Sequence, residues 1–331
     1  MTSALLRLCT TSILTTLAIL LAGCSQPKSE SVTTADGRTL SNVVLQTDWY
    51  AQPEHGGFYE AMLSGLYEKA GLAVTINQGG PGAYPLEKVL TGRANFSIGR
   101  VDDIVTYVDQ GKPFVIVGVF MQHDPQAIML HASNPVQDFA DLAGQTVMAI
   151  PGSNWLKGIE KKFDISIPEM AHDYGMERFL ADPSYIQQCF ITNEPYYVEK
   201  NGVKVKTLLI SDSGFDPYRV IYTTRTYAEA NPEIVKAFVD ASVEGWKQYM
   251  ETTPSDQTNT HLIGLNLKLD PEFVAYSMDT MKKMQLISGD PEKGDYIGRF
   301  EPSRVQRSID DLTEIGALET DVKVDQVVWM P

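Results

Sequence analysis

A chain of 331 residues with 42 Asp and Glu against 27 Lys and Arg carries a formal charge of −15 and a pI near 4.7. That balance excludes a nucleic-acid binder, which needs a basic face against the phosphates, and it keeps the body of the protein off anionic lipid headgroups. With 43% hydrophobic and 21% charged residues and a mean hydropathy of −0.15, the composition supports a sizeable core and contains no second apolar run of the roughly 20 residues a spanning helix needs.

In chain order, the first 24 residues combine Arg7, an apolar run over 13–21 and the box Leu21-Ala22-Gly23-Cys24. The run is too short to stay in a membrane, and the pattern looks like a bacterial lipoprotein signal in which Cys24 is acylated and becomes the new N-terminus. Residues 25–41 are rich in Ser, Thr and charge without apolar periodicity and read as a flexible tether. Cys9 would then be removed with the signal and Cys189 left without a disulfide partner, a packing residue in an apolar-leaning run. The folded body starts near Asn42 and leaves about 290 residues, one large domain or two medium ones.

Strand and helix then alternate. Strands are expected at 43–45, 73–76, 95–98 and 114–121, with helices at 58–70, 85–91 and 104–110 between them. The run FVIVGVFM at 114–121 is nearly continuous in apolar residues, as in a strand buried on both faces. After Asp124-Pro125 the same grammar repeats, with strands at 127–130, 146–150, 185–191, 205–210 and 220–224, and helices at 139–142, from Gly152-Ser153-Asn154 onward, and at 194–200. From Pro232 the chain turns helical, over 232–250, 256–265, 271–284 and 302–315, each opened by Pro or a polar cap. Two α/β series and a helical tail predict two lobes joined by crossings near 121–130 and 216–224, with any ligand held between them at strand carboxyl ends.

The strand-end loops carry the candidate chemistry. Asp48-Trp49-Tyr50 and His55-Gly56-Gly57 follow the first strand; the two aromatics either offer a stacking face to a planar ring or close the edge of the core, and His55 either meets a ligand or caps the next helix. Gly80 belongs to a Gly79-Gly80-Pro81-Gly82 loop that lacks both phosphate-loop signatures. Arg100 can pair with an acidic ligand group or with Asp102 or Asp103. Gly152, Ser153 and Asn154 open a helix whose N–H groups, with the Ser153 hydroxyl, suit an anionic or carbonyl oxygen. Asn193, Glu194 and Tyr196 close another strand, with Glu194 as an acceptor for a ligand amine, and Asp216 and Tyr218 mark the second crossing as hinge and cleft wall. No GxSxG elbow, HExxH helix or CxxC pair is present, and the five histidines are too scattered for a metal cluster, so neither enzyme nor metal site is expected.

The segments QTDWYAQPEHGGFYEAMLSGLYEKAGLAVTI, GRANFSIGRVDD, VMAIPGSNW, ITNEPYY and SGFDPYRVIYTTRTYAEANPEIVKAFVDASVEGW together resemble the NMT1/THI5-like solute-binding proteins, over about residues 43–250. The resemblance implies an α/β, two-lobed periplasmic-binding-protein fold of the second type with two hinge crossings: lobe 1 from 42–124 and 222–331, lobe 2 from 125–221. It implies a monomer without cofactor that passes a small molecule to an ABC permease and its ATPase; with lipid on Cys24 as its sole membrane attachment, the protein is expected in the periplasm or at the cell surface. The DWY-x-x-x-x-H pattern is similar to that of members binding thiamine pyrimidine precursors, which implies Trp49, Tyr50 and His55 on the ligand side and Glu194 against an exocyclic amine. Riboflavin, nitrate, taurine and alkanesulfonates are the other ligands the family suggests. A pyrimidine-synthesising enzyme is the alternative of another class, but the cysteine-rich iron-binding run of the fungal synthases has no counterpart here.

Overall fold

A computed structural model describes residues 31–34, 37–253 and 255–330. The expected signal, Cys24 and the first part of the expected tether lie outside the described residues. Two mixed sheets organise the chain. The first contains β1 (Ser31–Thr33), β2 (Thr39–Gln46), β3 (Leu72–Asn77), β4 (Phe96–Arg100) and β5 (Phe114–Met121). The second contains β6 (Gln126–His131), β7 (Val147–Ala149), β8 (Glu169–Ala171), β9 (Ile186–Phe190) and β10 (Val205–Leu209), after which β11 (Arg219–Thr224) returns to the first. The strand orders are β1-β2-β4-β11-β5, with β3 also on β2, and β10-β6-β9-β7-β8. This is the two-lobed periplasmic-binding-protein fold, its lobes joined where the chain leaves β5 for β6 and where it comes back into β11.

Parallel pairing places the functional loops. β2, β3 and β4 run parallel in one sheet, and β7, β8 and β9 in the other, so each group gathers its carboxyl ends along one edge. β11 lies antiparallel between β4 and β5, which brings its first residue, Arg219, opposite Arg100, the last of β4. The eight residues of β5 are all buried, as expected of a strand covered on both faces.

The long helix Pro232–Glu251 covers one face of the first sheet: Phe238 stacks on Phe96 at 4.2 Å, and Trp246 lies 5.7 Å from Phe120. It also presses on the helix Gly56–Leu63, and here the paired glycines after His55 find their reason. A Cβ on Gly56 would fall 2.1 Å from the Tyr249 ring, one on Gly57 2.2 Å from the Trp246 ring, and one on Gly245 2.3 Å from the Gly57 carbonyl. Three further tail helices, Gln257–Leu265, Pro271–Lys283 and Pro302–Glu314, match the expected spans within a residue. At the end of the chain, the Trp329 N–H donates to the Ile116 carbonyl at 3.0 Å and ties the tail to β5.

Two local expectations fail and two short elements go unanticipated. The helix expected over 58–70 is two, Gly56–Leu63 and Leu66–Lys69, because Gly65 adopts a left-handed φ of 73° between them. The tether over 25–41 is not wholly loose: β1 pairs antiparallel with β2, Val32 opposite Leu40, since an edge strand draws on backbone hydrogen bonds and needs no apolar pattern. β8 and the short helix Glu177–Ala181 were not expected from a stretch with little alternation.

Candidate functional site

Between the two strand-end edges lies a cleft of about 730 Å³, inside the 300–1,000 Å³ range of ligand pockets. The loop after β2 contributes Asp48, Trp49, Gln52, Glu54 and His55; the loop after β3 contributes Gly80 to Glu87; β4 and the helix Val101–Asp109 contribute Arg100, Asp103 and Tyr107. From the second lobe come Ile150 to Asn154 after β7, His172 and Tyr174 after β8, and Gln188 to Phe190, Asn193 and Glu194 around the end of β9.

Ion pairs form the floor. Arg219 Nη1 donates to Asp124 Oδ2 at 3.1 Å, and its Nη2 pairs with Asp48, whose Oδ1 stands 3.1 Å from His55 Nε2. Burial alone would raise the Asp48 carboxyl, yet the Arg219 guanidinium and the His55 hydrogen bond hold it well below the usual carboxylate range. Arg100 pairs with Asp102 at 3.2 Å and Asp103 at 3.0 Å and reaches Gln126 at the start of β6. Asn154, from the second lobe, donates to Asp102 Oδ2 at 3.2 Å. Both arginines are therefore matched by carboxylates. Among the described residues no lysine lines the cleft, whereas Asp48, Glu54, Glu87, Asp103 and Glu194 do.

Two further carboxyls sit where the lobes meet. The Thr192 hydroxyl donates to Glu54 Oε1, and Asn193 Nδ2 donates to Gln52 Oε1 at 3.2 Å, so two hydrogen bonds join the turn after β2 to the end of β9. Glu194 Oε2 accepts from the Phe190 N–H at 2.7 Å. Burial pushes Glu54 up, against the Thr192 bond, and pushes Glu194 up to about 7. Burial also lifts the Cys189 thiol well above its ordinary value, so this cleft cysteine is a poor nucleophile.

The mouth is aromatic. Trp49 stacks on Tyr174 of the other lobe, centroids 5.7 Å apart and planes 27° from parallel, and meets Tyr50 edge-on at 5.4 Å. Tyr174 holds a left-handed φ of 59°, its N–H donating to His172 Nδ1 at 2.9 Å. The Gly-rich loop packs beneath: the Gly79 N–H donates to the Trp49 carbonyl at 2.8 Å, and a Cβ on Gly79 would fall 2.4 Å from the Thr47 carbonyl. Close approach to the Asp48-Trp49-Tyr50 segment accounts for these glycines.

The cleft thus brings together Asp48, Trp49, His55, Gly80, Arg100, Gly152, Ser153, Asn154, Asn193 and Glu194 of the expected set. Ser153 differs in detail: its hydroxyl donates to the Ile150 carbonyl at 2.6 Å, which spends the proton expected for a ligand. Four residues lie elsewhere. Tyr50 turns its ring onto Gly80 and the outer surface, 42% exposed. Tyr196, two positions after Glu194 and so on the far side of the helix Glu194–Lys200, bonds Asp270 at 3.0 Å. Tyr218 lies under the Arg304 guanidinium, 4.1 Å from its ring centroid, because it points opposite to Arg219. Asp216 faces His123 Nδ1 at 3.1 Å, away from the cleft.

Sequence reasoning passed over Arg219, Asp124, Glu54, Tyr174 and His172. Glu54 stood in the quoted strand-end loop, and Arg219 opens a strand right after the second crossing; Tyr174 offered only an Asp-Tyr-Gly loop. Among the described residues no group of three or more His, Cys, Asp or Glu is placed to hold a metal ion.

Fold and cleft together have the architecture of the periplasmic binding proteins. The chain belongs to the NMT1/THI5 like family, whose model matches residues 52–256. It is similar to the riboflavin-binding protein RibY of Chloroflexus aurantiacus, 24% identical over 266 residues that cover 72% of this chain and 73% of RibY. In fold it resembles the periplasmic aliphatic sulphonate binding protein SsuA of Escherichia coli, with a TM-score of 0.63 at 17% identity over 88% of this chain and 92% of that one. It also resembles the periplasmic nitrate-binding protein NrtA of Synechocystis PCC 6803, with a TM-score of 0.58 at 13% identity over 87% and 86%.

Proposed function

We propose that this protein is the lipid-anchored, substrate-binding component of an ABC importer and that its ligand is a small planar N-heterocycle of the thiamine-precursor type. Lobe 1 (42–124 and 222–331) and lobe 2 (125–221) close on the ligand by hinging at the two crossings, and the closed form delivers it to a permease without breaking a bond. Cys24 carries the lipid that anchors the protein to a membrane, in the periplasm or at the cell surface.

The observation that carries this reading is the electrostatic state of the cleft. A nitrate or sulfonate site needs an uncommitted cation, but both cleft arginines are already engaged, Arg219 by Asp48 and Asp124, Arg100 by Asp102 and Asp103. A flat, amine-bearing ring suits what is present, namely Trp49 and Tyr174 as faces and Glu194 as acceptor, each aromatic contact contributing about 0.5–1.5 kcal/mol beyond burial. Titration calorimetry with an aminopyrimidine, riboflavin, taurine and nitrate tests the reading: heat from a heterocycle and none from taurine or nitrate is expected, and the reverse order refutes it.

Cleft volume favours riboflavin as the second reading. A cavity of about 150 Å³ accepts one benzene, so about 730 Å³ has room for a fused ring system with a side chain. The likeness to RibY points the same way. The same calorimetric panel separates the two heterocycles.

A further inference from the structure

Glu54 is an acid with half of its bonding capacity unused. It lines the cleft with only 6% of its surface exposed, its Oε1 accepts from the Thr192 hydroxyl, and its Oε2 is buried without a hydrogen-bond partner. The tie to Thr192 needs one oxygen. A second oxygen left bare in a buried position is costly, and here it stands beside a ligand-sized space rather than inside packed core.

Glu194 places a second carboxyl in the wall of the same cleft, with one oxygen held by the Phe190 N–H. Each glutamate is thus anchored through one oxygen by its own lobe or by the joint between lobes. The groups that face the pair are His55 and Arg219 on the side of Glu54 and Cys189 on the side of Glu194, with the phenols of Tyr197, Tyr249 and Tyr276 around them. Of these only Arg219 carries a fixed positive charge, and it is committed to Asp48 and Asp124.

Two carboxyls lining one cavity keep one proton more readily than they carry two negative charges. A carboxyl that keeps its proton presents a donor and an acceptor on one group, and a second carboxyl in the same wall adds further acceptors. The complementary ligand edge is a ring nitrogen next to an exocyclic amino group: the acid O–H donates to the ring nitrogen while a carboxyl oxygen accepts from the amino N–H.

We propose that Glu54 acts with Glu194 as the specificity filter of the cleft, reading a ring-nitrogen and amino edge on the bound heterocycle. The inference rests on the heterocycle reading above and narrows it to amidine-edged rings. Burial raises both carboxyls, Glu194 to about 7, which favours a retained proton near neutral pH.

The test is calorimetry on the full chain with three probes of one shape: 4-amino-2-methylpyrimidine, its 4-oxo counterpart and 2,4-dimethylpyrimidine. The amino probe is expected to bind at least about tenfold more tightly than the other two, a factor worth ~1.4 kcal/mol. Glu54→Met removes both oxygens and should reduce that preference below about threefold. Glu54→Gln should keep most of it, because an amide also accepts from an amino group and donates to a ring nitrogen, as glutamine does with adenine. Glu194→Met provides the same comparison should Glu54→Met fail to fold, with far-UV circular dichroism as the check. Equal binding of the three probes, or full discrimination in the Met variants, overturns the filter while leaving a heterocycle receptor standing. Binding by none of the pyrimidines overturns the filter together with the aminopyrimidine reading, and riboflavin heat in the earlier panel then shows whether the wider heterocycle reading survives.

Discussion

Replacing Arg219 by Met separates a structural cation from a ligand-binding one. Arg219 is 8% exposed and stands between Asp48 and Asp124, the latter 2% exposed. Met fills similar volume but leaves two carboxylates without their counter-charge, and breaking such a buried pair from one side costs about 3–5 kcal/mol. For a folded body of some 300 residues, an unfolding entropy of ~2.1 cal/mol/K per residue makes each kcal/mol worth roughly 1.6 °C, so Tm should drop by about 5–8 °C. Thermal unfolding followed by circular dichroism measures this, and a companion Arg219→Met, Asp48→Asn, Asp124→Asn triple variant should recover at least half of the loss, because no unpaired charge remains. A single variant as stable as the parent, with binding of an anion abolished, would show that Arg219 serves a ligand and that the cleft electrostatics have been read the wrong way round.

Other perturbations act on separate parts of the account. Trp49→Ala and Tyr174→Ala should each weaken binding of a heterocycle about 10- to 100-fold in calorimetry, from lost burial and stacking at the mouth, with far-UV spectra unchanged. Gly57→Val drives side-chain atoms into the Trp246 ring, already 2.2 Å from a Cβ built at Gly57, and should cost about 3 kcal/mol or more by urea unfolding, whereas Gly264→Ala, which meets nothing within 4 Å, should cost nothing. Glu194 titrates at about 7 in the fold against 4.5 ordinarily, so the folded state holds a proton that the unfolded chain has lost. Stability should accordingly fall as pH rises from 4.5 to 7, by at most about 3 kcal/mol, and Glu194→Gln should flatten that slope in urea melts. Asp48 works in the opposite sense: its lowered value contributes stability that is present above its ordinary 3.8 and is lost as pH falls further.

How far the sequence could be read depended on the range of the interactions involved. β5 declared itself because burial on both faces forces a continuous apolar run, and the helices opening at Pro232, Pro271 and Pro302 because proline suits a first turn. The break at Gly65 sits inside an otherwise uninterrupted helical pattern, and β8, three residues long and largely exposed, is too short to show an alternation. In the cleft, the loops after parallel strands were found by the rule that ligands gather at carboxyl ends. Arg219 was not, since its partners Asp48 and Asp124 lie 171 and 95 positions away and nothing local marks it. Tyr196 and Tyr218 failed for a shorter-range reason: both neighbour cleft residues in sequence, but helix and strand periodicity turns them to the other side.

The central claim, an acidic and aromatic cleft that grips a flat heterocycle between two lobes, is tested most directly by a crystal structure of the protein grown with the heterocycle that gives the largest calorimetric heat. The ring should lie between the lobes against Trp49, with a nitrogen-bearing edge toward Glu194 and with Arg100 and Arg219 still paired to their aspartates. A ligand bound outside the cleft, or an anionic group seated on either arginine in place of its carboxylate, would contradict it.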